Sequence, residues 1–124
     1  MNKKLRIILI TTVSLILIFF ISLYVVAINS EPYSFAKKYV SNNHIVKEKL
    51  GNLTNISLAY FGYNVSYAGP NGVAKFKINV TSNKGKGTVY ISLDKESGKW
   101  NVKHAKLISN ESEIDINPNI SITN

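Results

Sequence analysis

IILITTVSLILIFFISLYVVAI, residues 7–28, runs from Ile7 to Ile28 without a charge, a glycine or a proline. As a helix rising 1.5 Å per residue it is about 33 Å long, close to the hydrocarbon thickness of a bilayer. Sixteen of its residues are Ile, Leu, Val or Phe, and each favours mid-membrane by about 0.3–0.6 kcal/mol. Thr11, Thr12 and Ser14 do not break the run, because a helix returns their hydroxyls to its own carbonyls. Lys3, Lys4 and Arg6 precede it, whereas Glu31 is the near charge after it. The positive-inside bias then keeps the head in the cytoplasm and sends the remainder outward. The competing reading is a cleaved signal peptide with Val25-Val26-Ala27 as its cleavage site. A signal's apolar core is usually about 7–15 residues, so the length of this run favours a retained anchor. The chain has no cysteine, which excludes lipoprotein processing and thiolate chemistry.

The stretch divides the chain into a head and membrane helix (1–29), an extracytoplasmic domain (30–109) and a flexible tail (110–124). A domain of this size has a marginal core and no disulfide to staple it. The net charge is +8. Beyond the span every basic residue is a lysine, twelve of them from Lys37 to Lys106 against Glu48, Asp94 and Glu96. Lysine is a hydrated point charge and reads phosphate or bases poorly in bidentate fashion, which argues against nucleic acid as a partner. It suits an anionic surface, or plain solubility.

After the span, Asn29-Ser30-Glu31-Pro32 carries the signals of a helix start. Tyr33, Ala36 and Val40 recur at i, i+3 and i+7, a short amphipathic helix either separate from the span or continuous with it. Ser41-Asn42-Asn43 supplies a second cap, and residues 44–50 form another short helix ending at Gly51.

The period then changes to two. Residues 56–67 place Ala59, Phe61, Tyr63, Val65 and Tyr67 on one face, with Gly62 marking a bulge. Gly69-Pro70-Asn71-Gly72 is a turn. Ala74, Phe76, Ile78 and Val80 then alternate with Lys75, Lys77 and Asn79, a half-buried antiparallel strand. Val89, Ile91 and Leu93 form the inner face of a third strand; Trp100 and Val102 lead a fourth. Short turns at residues 82–87 and 94–99 pair successive strands. The expectation is an α+β fold: one or two short helices packed on an antiparallel meander of about four strands. Ile114 and Ile116 alternate with polar residues, as do Ile120 and Ile122, which leaves an edge strand open, but Pro118 interrupts the pattern and the segment reads as a flexible tail.

Few constellations carry chemistry. His44 and His104 are the only histidines and no spacing unites them as metal ligands, so no metal or other cofactor is expected. The carboxylates fall in a helix, a hairpin loop and the tail, places for solvated charge rather than for acid–base catalysis. Asn83-Lys84-Gly85-Lys86-Gly87 lacks the Walker spacing and precedes a strand, so it reads as a hairpin turn. Six Asn-x-Ser/Thr sites, at Asn52, Asn55, Asn64, Asn79, Asn110 and Asn119, follow from an asparagine-rich composition. The strand phases leave Tyr60 and Tyr90 opposite the apolar faces. With Lys75, Lys77 and Lys103 they form a candidate partner surface, since aromatics and cations recur at interfaces.

Several stretches together carry a resemblance. They are His44-Ile45-Val46-Lys47-Glu48-Lys49-Leu50-Gly51, Gly72-Val73-Ala74, Lys84-Gly85-Lys86-Gly87-Thr88-Val89 and Gly98-Lys99-Trp100-Asn101-Val102. In this order behind one span, over residues 30–108, they resemble the cytochrome oxidase assembly factor one family, which shares its domain with a subunit of the mitochondrial presequence translocase. The resemblance implies a membrane-tethered α+β domain without catalysis that binds membrane-protein partners during oxidase biogenesis. The chain lacks an Arg-rich transit peptide, which points to a prokaryotic plasma membrane rather than the mitochondrial inner membrane. The alternative from a different class is an anchored or secreted envelope module that holds anionic lipid or polymer on its lysines.

Overall fold

The asparagine side chain at position 2 accepts from the Lys4 N–H and opens α1, Lys3–Ile28, which runs unbroken for 26 residues. Within it the Thr12 and Ser22 hydroxyls donate to the carbonyls of Ile8 and Ile18, both at 2.8 Å. These are the internal bonds that let hydroxyls sit in an apolar helix. The computed structural model describes residues 2–118, the side chains of residues 67 and 68 excepted. Among these residues α1 is the one helix long and apolar enough to cross a membrane.

Two residues separate α1 from α2, Glu31–Asn42. Ser30 ends one helix and starts the next: its hydroxyl donates to the Ala27 carbonyl at 2.6 Å and accepts from the Tyr33 N–H. The second helix is thus separate from the first. Asn43 then caps α3, His44–Leu50, by accepting from the N–H groups of Ile45 and Val46. Gly51 stops α3 at φ 74°, a left-handed conformation that glycine adopts without a Cβ clash.

Five strands follow: β1 (Leu53–Ala68), β2 (Asn71–Ser82), β3 (Gly85–Glu96), β4 (Lys99–Ser109) and β5 (Ser112–Asp115). They form one antiparallel sheet in sequence order. The helices cover one face, with Tyr33, Ala36, Val40, Val46 and Leu50 buried against Phe76, Ile78, Val80, Val89, Ile91, Leu93 and Leu107. Tyr33 meets Phe76 edge-on at 5.5 Å between centroids. Ala27, at the end of α1, belongs to the same core. The first helix is therefore seated in the domain that it leads.

Helices on an antiparallel meander are as expected, and three details of the sheet refine that reading. The sheet has five strands rather than about four. Asn110 and Glu111 both adopt positive φ, 50° and 65°, the geometry of a two-residue hairpin turn. It folds β5 onto β4, where Leu107 pairs with Ile114. Ile116 follows, fully buried, with its N–H on the Ala105 carbonyl at 3.0 Å and its carbonyl accepting from the Tyr39 hydroxyl. Pro118 falls after this strand instead of within it, and Ile120 and Ile122 lie outside the described residues. Second, β1 does not hold one phase. Its pairing slips between Leu58↔Ile78 and Tyr63↔Phe76, so residues 59–62 oppose Lys77 alone. Ile56 and Leu58 face the core before this bulge, Tyr63 and Val65 after it, and Phe61 faces outward, 83% exposed. Third, β4 carries an extra residue, Lys103, between Leu93↔Val102 and Ser92↔His104. Beyond Lys103 the inward residues are Ala105 and Leu107.

The quoted motifs are explained by packing. A Cβ on Gly87 would lie 3.0 Å from Leu107 Cδ1 and 3.3 Å from Leu50 Cδ1, and one on Gly51 would lie 3.5 Å from Lys84 Cδ. The Leu-Gly helix end thus docks on the Lys-Gly-x-Gly turn. Gly98, at φ 82°, closes the β3–β4 hairpin with Ser97 at φ 51° and delivers Trp100 to the core.

Candidate functional site

Side chains alternate across a strand, so the inward set defines the outward one. With Phe76 and Ile78 inward, Lys75 and Lys77 project from the uncovered face, joined by Tyr90 and Ser92 of β3. Past the Lys103 bulge, His104 and Lys106 join them from β4. The register aligns these residues in two rows across the sheet. Asn64, Lys75, Ser92 and His104 make one; Lys77, Tyr90, Lys106 and Asp115 make the other.

The second row is bound together by charge on an aromatic face. Lys77 Nζ lies 5.8 Å from the centre of the Tyr90 ring and Lys106 Nζ 5.5 Å from it, within the range of cation–π attraction. Lys106 also pairs with Glu113 at 3.3 Å. Both partners are well exposed, so the pair contributes little, about 0–1 kcal/mol. Tyr90 remains 38% exposed between its lysines.

The rows floor an open trough of about 970 Å³. Its middle is basic, with Lys75, Lys77 and Lys106, and its β5 rim is acidic, with Glu113 and Asp115. Phe61 and Gly62 close the end that lies beside α1. At the rim Asn117 accepts from the Ala105 N–H, and its own N–H donates to Asp115 Oδ1 at 2.9 Å. The opposite, covered face holds the perturbed tyrosines. Burial pushes the hydroxyls of Tyr33 and Tyr39 above the ordinary tyrosine range. For Tyr39 the Asp115 carboxylate adds to the rise, and a hydrogen bond with Asn43 opposes it.

Of the residues picked from sequence, the structure brings Lys75, Lys77 and Tyr90 together. Lys103 sits exposed in the β4 bulge, outside the trough lining. Tyr60 sits on the β1 bulge, 76% exposed, its ring 5.4 Å from that of Tyr24 in α1. Sequence reasoning missed His104, Lys106 and Phe61. Counting in twos from Trp100 and Val102 turns His104 and Lys106 inward, and only the bulge at Lys103 reverses them. Among the described residues no three of His, Cys, Asp or Glu gather as metal ligands would. What the trough offers is charge pairing, hydrogen bonding and an aromatic platform.

One long apolar helix seated in a small α+β domain, with two helices on one sheet face and a lysine–tyrosine trough on the other, defines a helix-led α+β domain. The chain belongs to the cytochrome oxidase complex assembly protein 1 family, whose model matches residues 5–117. That match begins inside α1 and ends at the asparagine that caps β5, so it takes in every strand and both bulges. Searches of curated proteins and of solved structures returned no match.

Proposed function

We propose that the protein is a single-pass, membrane-anchored assembly factor, acting without catalysis by holding a membrane-protein partner in its sheet trough. The observation that carries this reading is the family match to cytochrome oxidase complex assembly protein 1. Supporting it are an apolar helix of spanning length and an uncovered sheet face whose lysines converge on one tyrosine. α1 crosses the cell membrane with residues 1–6 in the cytoplasm, and the domain from residue 30 stands outside. That domain extends past residue 109 to include β5. The complex assembled is cytochrome oxidase or another membrane complex. The trough takes an extended, carboxylate-bearing segment of the partner, since Lys75, Lys77 and Lys106 line its middle and backbone-spaced polar groups surround them.

The test is purification of the full-length chain in mild detergent from cells making the oxidase. Stoichiometric oxidase subunits retained by the wild type and lost in Lys77→Glu support the reading. A chain that retains no membrane protein, yet binds anionic vesicles in a salt-sensitive way, favours the second reading of an anionic-lipid module. That reading draws on one observation: the trough ends at Phe61, beside α1.

A further inference from the structure

We infer that the β1 bulge at residues 59–62 is a membrane-inserted finger, with the Tyr60 and Phe61 rings in the outer leaflet of the bilayer that α1 crosses. The inference rests on the reading of α1 as a membrane span.

The bulge runs beside the last turns of α1. Phe61 packs edge-on against Phe20 at 5.9 Å between centroids, Tyr60 lies 5.4 Å from Tyr24 and Tyr63 6.4 Å from it. Tyr24 also donates its hydroxyl to the Leu58 carbonyl at 2.8 Å, which fixes the height of the strand on the helix. Phe20 lies eight residues before the helix end at Ile28, about 12 Å down the axis at 1.5 Å per residue.

The depth follows from the length of the span. A hydrocarbon core of about 30 Å takes about 20 helical residues, which from Ile7 reaches to about Val26 and leaves Phe20 well below the outer boundary. Were the boundary instead at Phe20, the 14 residues from Ile7 would cover only about 21 Å, a mismatch of about 9 Å. The ring that touches Phe20 is therefore in lipid, and the backbone of the bulge is near the headgroups.

Three further features agree. Phe61 and Tyr60 are 83% and 76% exposed, yet both project on the side of α1. From Gly51 to Ala74 the sequence has no Lys, Arg, His, Asp or Glu, so the whole edge strand is uncharged in an otherwise lysine-rich domain. Tyrosine and neighbouring aromatics are also the residues that settle at a membrane interface. Gly62 permits the bulge, since a Cβ there would lie 2.7 Å from Lys77 Cβ and 2.8 Å from Ala59 Cβ. Because Phe61 and Gly62 also close one end of the trough, the finger sets that end of the trough at the bilayer surface.

The absence of native cysteine makes site-directed spin labelling of the full chain in lipid nanodiscs direct. Labels at Phe61→Cys, Tyr60→Cys, Leu15→Cys and Lys103→Cys are compared for collisions with oxygen, which partitions into lipid, and with a water-soluble nickel chelate. The expected result is an oxygen-dominated signal at positions 15, 60 and 61 and a nickel-dominated one at 103. Nickel access at both 60 and 61 with position 15 in lipid overturns the finger and leaves the anchor standing. Labels at 60 and 61 closed to both reagents overturn it also, because protein rather than lipid then covers the rings. Nickel access at position 15 removes the anchor itself, and the finger with it.

Discussion

The hydroxyl of Tyr24, in the last turns of α1, donates to the carbonyl of Leu58 on β1 at 2.8 Å. A helix of spanning length and the edge strand of the domain are thus joined by a hydrogen bond as well as by aromatic contacts. Tyr24→Phe keeps the ring and removes the bond. We expect a loss of about 0.5–1.5 kcal/mol, the net worth of one such bond, read as a lower melting midpoint in detergent. Faster amide exchange at residues 57–64 should accompany it.

Gly62→Val tests the bulge. The added Cβ has no room beside Lys77 and Ala59, and overpacking of this kind costs about 1–3 kcal/mol. A thermal melt should show the loss, whereas Gly69→Val, at a turn with open space but φ 64°, should cost through strain alone. A Gly62→Val protein as stable as the wild type would mean that the register slip lies elsewhere.

Tyr39 tests the last strand. Tyr39→Phe leaves the Ile116 carbonyl without its hydroxyl donor, at a cost of about 1–3 kcal/mol for a buried polar group. Hydrogen exchange should rise at residues 112–117 before it rises elsewhere.

The same residue sets an alkaline limit. Burial raises the Tyr39 and Tyr33 hydroxyls above their ordinary value, about 10. Below that pH both folded and unfolded chains keep these protons, and the contribution to stability is fully present. Above it the unfolded chain releases them first, so stability falls as pH rises through the folded-state values. Denaturant melts from pH 8 to about 11.5 should show this decline, with a shallower slope in Tyr39→Phe.

The trough is tested by charge. Lys77→Glu changes an exposed side chain and should leave the fold within about 0.5 kcal/mol of the wild type, whereas Tyr90→Ser also gives up two cation–π contacts of about 0.5–1 kcal/mol each. Retention of a membrane-protein partner should fall at least tenfold in each, measured by quantitative co-purification. Lys103→Glu, outside the trough, should bind as the wild type does.

Helix positions were legible because local signals and packing agree: Ser30, Asn43 and Gly51 sit at the ends they predict, and Tyr33, Ala36 and Val40 are all buried. So was β2, where apolar and lysine residues alternate without a break. What escaped was phase. A single extra residue reverses every side chain beyond it, and nothing in the alternation of β4 distinguishes Lys103 as that residue. In β1 Gly62 did mark the irregularity, but its four-residue width put Phe61 outside and Leu58 inside. β5 was open as an edge strand but read as tail, because Pro118 stands close behind it and its turn places Glu111 at positive φ, a position where asparagine or glycine is the usual sign. Half of the trough was therefore visible, the half on β2 and β3 where no bulge intervenes.

The two-residue join at Asn29-Ser30, with Ala27 seated in the domain core, bears on how a partner is met. A module on a long tether searches a volume and can reach proteins at many heights. This one has no slack. With α1 in the bilayer, encounter becomes a matter of lateral diffusion within a plane, at a fixed angle and a fixed altitude. On the proposed function, its clients are then neighbours in the same membrane that offer their binding segment just above the lipid.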